Sequence, residues 1–252
     1  MISIKSKNEI EIMKKSGEIL ACTHNKIKEA IQPGITTIEL DRIAEEFIRK
    51  NGGIPSFKGY RGYPGAIDYP ASICTSVNNQ VVHGIPGLEV LKDGDIISVD
   101  IGVYYNGFHS DAARTYPVGT ISEKAERLIS ITEQSFYEGI KFAVKGNRIV
   151  DISAAVQDYV EKNGYSVVRE YVGHGIGREM HEPPQIPNYR TRQRGPRLEP
   201  GMTLAVEPMV NEGSYHVRLL ENMWTVVTED GGLSAHYENT IAITDGEPII
   251  LT

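Results

Sequence analysis

Between Ile96 and Thr115 the chain reads IISVDIGVYYNGFHSDAART, and two carboxylates in it fall on one face of a hairpin. Ile97, Val99, Ile101 and Val103 alternate with Ser98, Asp100, Gly102 and Tyr104, the period-two pattern of a strand buried on one side. Asn106-Gly107 is a two-residue turn signal, because both residues take positive φ at little cost. That turn pairs Tyr105 with Phe108, Tyr104 with His109 and Gly102 with Asp111. Asp111 then lies diagonally from Asp100 on the same face, roughly 7–8 Å away along the backbone. Two like charges so close repel unless a cation lies between them. The spacing favours a divalent metal site over a pair of solvated aspartates.

Two more carboxylates follow from internal repetition. Gly34–Gly52 aligns without gaps on Gly146–Gly164, keeping the glycine, an apolar stripe and a terminal Lys-Asn-Gly. LKDGDIISVD aligns on LEPGMTLAVE, setting Asp100 against Glu207, and His109-Ser110-Asp111 aligns on His236-Tyr237-Glu238. His83-Gly84-Ile85 is likewise answered by His174-Gly175-Ile176. The order of matches implies one catalytic domain over 1–252, duplicated into halves of about 1–120 and 121–252, with a site where they meet. By strand phase Glu207 shares a face with Thr203 and Ala205, and Glu238 with His236, Thr240 and Ala242. Interior carboxylates are costly unless paired, protonated or metal-bound.

Four carboxylates with one or two imidazoles suit two divalent cations bridged by carboxylate and water, and the chemistry of such pairs is hydrolysis. Oxygen-rich ligation leans towards Mn, Fe or Co, although affinity alone does not choose among these and Zn. One of the carboxylates can shuttle the proton of an activated water. His181 follows His174 by seven residues in the proline-rich GREMHEPP, a loop that suits a side chain aimed into a cleft. For His181 and His83 the plain alternative is a buried imidazole bonded to backbone. GHGIG is not a phosphate loop, since Arg178 stands where the third glycine belongs.

Helices and strands must hold these groups in place. Ser6-x-x-Glu9 is a capping box opening a helix whose stripe runs through Ile10, Met13, Gly17, Leu20, Ile27 and Ile31 and stops at Pro33-Gly34. A second helix starts near Thr36/Thr37, turns Leu40, Ile43, Ala44, Phe47 and Ile48 inward, and ends at Asn51-Gly52-Gly53. Helices are also expected from about Ser122 to Val144 and Val150 to Asn163, and strands over Ala71–Val77 and Ser166–Val172. Arg190–Pro200 reads as a solvated basic loop, and the remainder as strand-rich. The 252 residues, 40% hydrophobic and 23% charged, are ordinary for a globular chain with a sizeable core. A net charge of −7 argues against stable nucleic-acid binding. Cys22 and Cys74 alone provide neither a disulfide framework nor a Cys-rich zinc module. The charged N-terminus lacks the apolar core of a secretory signal, and no apolar run approaches the ~18 residues of a membrane span. A cytoplasmic monomer without a membrane partner is the expectation.

VVHGIP, VDIGVYYNGFHSDAARTYPVG, GHGIGREMHEPP, GMTLAVEPMV and WTVVTEDGGLSAHYENTIAIT resemble the bacterial type I methionine aminopeptidases, in order and over nearly the whole chain. The resemblance implies the pita-bread fold, an α/β (α+β) arrangement of two pseudo-two-fold halves with a central antiparallel sheet and helices outside. It implies Asp100, Asp111, His174, Glu207 and Glu238 as metal ligands, with Asp111 and Glu238 bridging and Glu207 also the general base. His181 would meet the scissile carbonyl oxygen and His83 the amide beyond it. Tyr60, Tyr63, Cys74, Met180 and Trp224 would form the methionine pocket, whose sulfur and aromatic groups suit a thioether. The implied activity is removal of initiator methionine from nascent proteins and peptides with a small second residue, with transient contact to the ribosome. Asn79 and Asn239 depart from the family's usual Glu and His, Met180 occupies a commonly aromatic position, and Gly65–Ala71 is longer than in many relatives. Proline-directed relatives share the fold but bring a separate N-terminal domain, for which the early start of the repeat leaves no room. A non-enzymatic binding protein of this fold would lose ligands and gain basic extensions, whereas all five ligands are present.

Overall fold

Ser6 and Thr36 open the first two helices through reciprocal capping boxes with Glu9 and Glu39. The structure is a computed structural model that describes residues 2–62 and 65–252. Helices α1 (Lys7–Ala30) and α2 (Thr37–Lys50) are followed, after the first sheet, by α3 (Glu123–Ile140) and α4 (Ile149–Lys162). Both ends of α4 lie 112 residues beyond those of α2. α3 stops short of the expected Val144 because its end tightens into i→i+3 bonds, from Phe142 to Gly139 and from Ala143 to Ile140. The strand expected over Ser166–Val172 pairs only at Ser166–Val167 and resumes at Gly173–Gly175. In between, the Arg169 guanidinium stacks on Tyr215 at 3.8 Å, outside the sheet.

The hairpin Ile96–Tyr105/Phe108–Pro117 has the register that Asn106-Gly107 dictates, with φ of 48° and 92° at the turn. Strand Ile73–Val77 flanks it and sets Cys74 opposite Asp100. Ile97, Val99, Ile101 and Val103 pack on Leu20, Ile27, Leu40 and Ile48 of α1 and α2. The face carrying Asp100 is therefore turned away from the helices. The second half repeats the logic. Strands Gly173–Gly175, Glu182–Ile186, Thr203–Val206, Asn239–Ala242 and Ile249–Ile250 form an antiparallel sheet. Its Leu204, Val206 and Ile241 pack on Phe136 and Ile152 of α3 and α4.

The halves are joined along a short seam. Thr240 Oγ1 accepts the Asp111 N–H and donates to the Asp111 carbonyl, both at 2.9 Å. Thr115 Oγ1 does the same for the backbone of His236, again at 2.9 Å. Midway, the Glu238 N–H donates to the Ala113 carbonyl. These rungs define a local two-fold that exchanges Asp111 with His236 and Thr115 with Thr240. The repeat in the sequence had set Asp111 against Glu238. A two-residue shift keeps every side chain on its face, so matching residue types does not detect it.

Candidate metal centre

Cross-strand pairing puts Asp100 opposite Ala113 and Gly102 opposite Asp111, so the two aspartates are diagonal neighbours. Glu207 follows strand Thr203–Val206, and Glu238 occupies the break between Ser234–His236 and Asn239–Ala242. His174 comes from the middle of its sheet, opposite Ala205. The chain beside it must approach closely: a Cβ on Gly175 would stand 2.3 Å from the Pro183 carbonyl oxygen. Asp100, Asp111, His174, Glu207 and Glu238 converge at one cleft of about 450 Å³. His174 Nε2 lies 3.6 Å from Asp111 Oδ2 and 3.7 Å from Glu207 Oε1. Its Nδ1 donates to the Gly175 carbonyl at 2.9 Å, which leaves the Nε2 lone pair facing the carboxylates.

Burial dominates the electrostatics. It raises Asp100 to about 7 and Glu207 to about 8, far above ordinary carboxyls. Asp111 and Glu238 are also pushed well up, by burial first and by neighbouring carboxylates second. Burial lowers His174 and His83 to about 4 and His181 to about 3, so all three imidazoles are neutral near pH 7. Asp100 Oδ1, Asp111 Oδ1 and Glu238 Oε1 are buried with no hydrogen-bond partner among the described residues. Mutually repelling acids with orphaned oxygens beside a neutral imidazole fit divalent cations as the missing partners. Two sets of donors lie close enough to share an ion, Asp111–His174–Glu238 and Glu207–His236–Glu238. His236 was not singled out from the sequence, although its phase with Glu238 already pointed inward.

An apolar wall closes one side. Tyr60, Cys74 and Trp224 line it, whereas Tyr63 lies outside the described residues. Met180 does not line the cleft. It packs with Phe108 and Ile176, and Phe57 reaches the cleft instead. The bare Cα of Gly102 leaves room for this, since a Cβ there would meet Phe57 at 2.8 Å and Met180 Cε at 3.2 Å. Tyr69, missed in the sequence, lines the wall with its ring 5.0 Å from Trp224 and its hydroxyl donating to the Gly84 carbonyl at 2.8 Å. Its signal was a second Tyr-Pro, Tyr69-Pro70, five residues before Cys74.

His83 and His181 stand at the mouth. His83 adopts a φ of 59°, a strained conformation for a side-chain-bearing residue, and its ring is edge-on to Tyr171 and Trp224. His181 Nδ1 shares a 2.7 Å hydrogen bond with the Tyr60 hydroxyl, and its ring is 4.2 Å from that of His174. The two asparagines that depart from the family pattern are turned elsewhere. Asn239 is held by the Arg114 guanidinium at 2.6 Å, and the Asn79 carbonyl accepts from the Thr228 N–H.

Residues 11–245 match Metallopeptidase family M24. The methionine aminopeptidase of Clostridium perfringens is 62% identical over 252 residues, spanning all of this chain and 99% of that relative. This chain belongs to the methionine aminopeptidases of metallopeptidase family M24. Methionine aminopeptidase 1 of Bacillus subtilis is 56% identical to this M24 chain, with the same coverage. The crystal structure of methionine aminopeptidase from Thermotoga maritima matches at a TM-score of 0.95 and 45% identity, over 100% of this chain and 99% of that one. An Xaa-Pro dipeptidase from Bacillus anthracis matches at a TM-score of 0.78 and 27% identity, but only 61% of its chain is covered. The M24 chain thus has the pita-bread fold its motifs implied and is a metallopeptidase, a hydrolase. Among the described residues no helix is long and apolar enough to cross a membrane.

Proposed function

We propose that this chain removes the initiator methionine from nascent proteins and peptides in the cytoplasm, working as a monomeric, internally duplicated catalytic domain with two divalent cations. The observation that carries the reading is the cluster of four carboxylates, three of them with a buried oxygen that lacks a hydrogen-bond partner among the described residues, in a sulfur- and aromatic-lined cleft. Asp100, Asp111, His174, Glu207 and Glu238 would hold the cations. Two divalent cations drawn from Mn, Fe, Co or Zn would supply Lewis acidity there, to make a water nucleophilic at neutral pH and to polarise the scissile amide.

The protein's own groups do the rest. Glu207 takes the proton of the attacking water and passes it to the departing amine as the peptide C–N bond breaks. Burial raises its basicity towards that task. The Tyr60 hydroxyl donates to His181 Nδ1, so His181 Nε2 carries the proton and donates to the carbonyl oxygen as negative charge develops. His83 meets the next backbone amide. Tyr60, Tyr69, Cys74 and Trp224 receive the methionine side chain, for which a polarisable and aromatic wall is suited. The histidines crowd the following residue, so small second residues are preferred. Nascent chains reach the cleft during transient contact with the ribosome.

A peptide library scored by mass spectrometry tests this. N-terminal methionine alone is released, fastest before Gly, Ala or Ser. Release of other N-terminal residues at comparable rates would overturn it.

A further inference from the structure

His236 has no task in the mechanism above, yet it is buried and its Nε2 has no hydrogen-bond partner among the described residues. That nitrogen lies 3.7 Å from Glu207 Oε2 and 4.0 Å from Glu238 Oε2. Both separations are too long for hydrogen bonds. They match donors that share an ion: two atoms each about 2.1 Å from one cation stand about 3.4 Å apart at a tetrahedral angle and about 4.2 Å apart when opposed. His174 stands off from its own two carboxylates by 3.6 and 3.7 Å, so the two imidazoles are placed alike. Glu207 lies between them, with Oε1 towards His174 and Oε2 towards His236. The seam supplies an independent reason. Its local two-fold exchanges His236 with Asp111, so a donor on one strand is answered by a donor on the other.

We propose that His236 is a second imidazole ligand of the metal centre, added to the five residues above and sharing a cation with Glu207 and Glu238. The proposal rests on the two-cation reading above. A nitrogen donor at the second position shifts its preference from Mg or Mn towards Fe, Co or Zn.

The test is calorimetric titration of the chelated full-length protein with Co²⁺, together with cobalt K-edge X-ray absorption to count imidazoles. The wild-type chain takes up two equivalents with one imidazole per cobalt. In His236→Ala and His236→Gln, one of the two equivalents weakens at least about tenfold. Imidazole scattering per cobalt then falls by half. If His236→Ala fails to fold by circular dichroism, His236→Gln, which keeps a polar side chain there, carries the comparison. Unchanged affinities, with one imidazole per cobalt retained in His236→Gln, overturn the assignment of His236. A wild-type chain that takes up fewer than two equivalents overturns the two-cation reading itself, and with it this proposal.

Discussion

At the scale of single residues, desolvation sets each group of the cleft against its ordinary protonation. Desolvation raises half-buried Glu207 to about 8 and lowers His181, at the exposed mouth, to about 3. On the proposed mechanism Glu207, once ionised, is a stronger proton acceptor than an ordinary carboxylate, and His181 donates a hydrogen bond without carrying charge. Glu207→Gln is expected to lower the rate of methionine release by about 10²–10⁴-fold. His181→Ala, which on the proposed mechanism removes a donor to the developing oxyanion, is expected to lower kcat by about 10²-fold with a smaller change in KM. Steady-state kinetics on Met-Ala-Ser reads both, and wild-type rates in either variant would remove that residue from the mechanism. The same shifts predict a pH dependence of stability in the cation-free protein. Asp100 and Glu207 titrate near 7 and 8 when folded but near 3.8 and 4.5 when unfolded, so the folded state holds more protons in between and stability falls as pH rises through that window. His83, His174, His181 and His236, all lowered by desolvation, act oppositely, but only between about 3 or 4 and 6.5. From pH 6.5 to 8 the acids therefore act alone. The Tm of chelated protein falls over that range, whereas protein saturated with Mn²⁺ is protected; a flat Tm after chelation would contradict the burial of unpaired acids.

At the scale of elements, the seam rather than either sheet fixes the distance between the carboxylates of the two halves. Thr240 closes both backbone groups of Asp111, and Thr115 both of His236. Thr240→Val keeps the shape but orphans a buried N–H and C=O, at an expected cost of about 1–3 kcal/mol in urea unfolding. Cation affinity measured by calorimetry should weaken with it, since Asp111 loses its anchor. A stable variant with unchanged affinity would show that the sheets alone hold the centre. The hairpin was legible in the sequence because period two and Asn106-Gly107 leave one register open. The seam was not, because a shift by two residues preserves the pattern of faces. Tyr69 was hidden by a similar Tyr-Pro six residues earlier, and Met180 by its distance in sequence from Gly102, whose missing Cβ lets it pack beneath Phe57.

At the scale of the whole molecule, α2 and α4 stand at equal places in the two halves, and each pair of helices covers the apolar side of its own sheet. The uncovered sides carry the acids and meet at the cleft. A centre built from both halves forms only when they are joined, which is why its carboxylates are spread from Asp100 to Glu238 along the chain. The order of these acids was readable from strand phase, whereas the depth and lining of the cleft depended on long-range packing. The most direct test of the account is release of free methionine from Met-Ala-Ser by chelated protein, with and without added Mn²⁺, Fe²⁺ or Co²⁺, beside Xaa-Pro peptides as controls. Metal-dependent cleavage of Met-Ala-Ser with Xaa-Pro left intact is the predicted result. Cleavage of Xaa-Pro alone, or no cleavage by folded protein with any of the three metals, would contradict it.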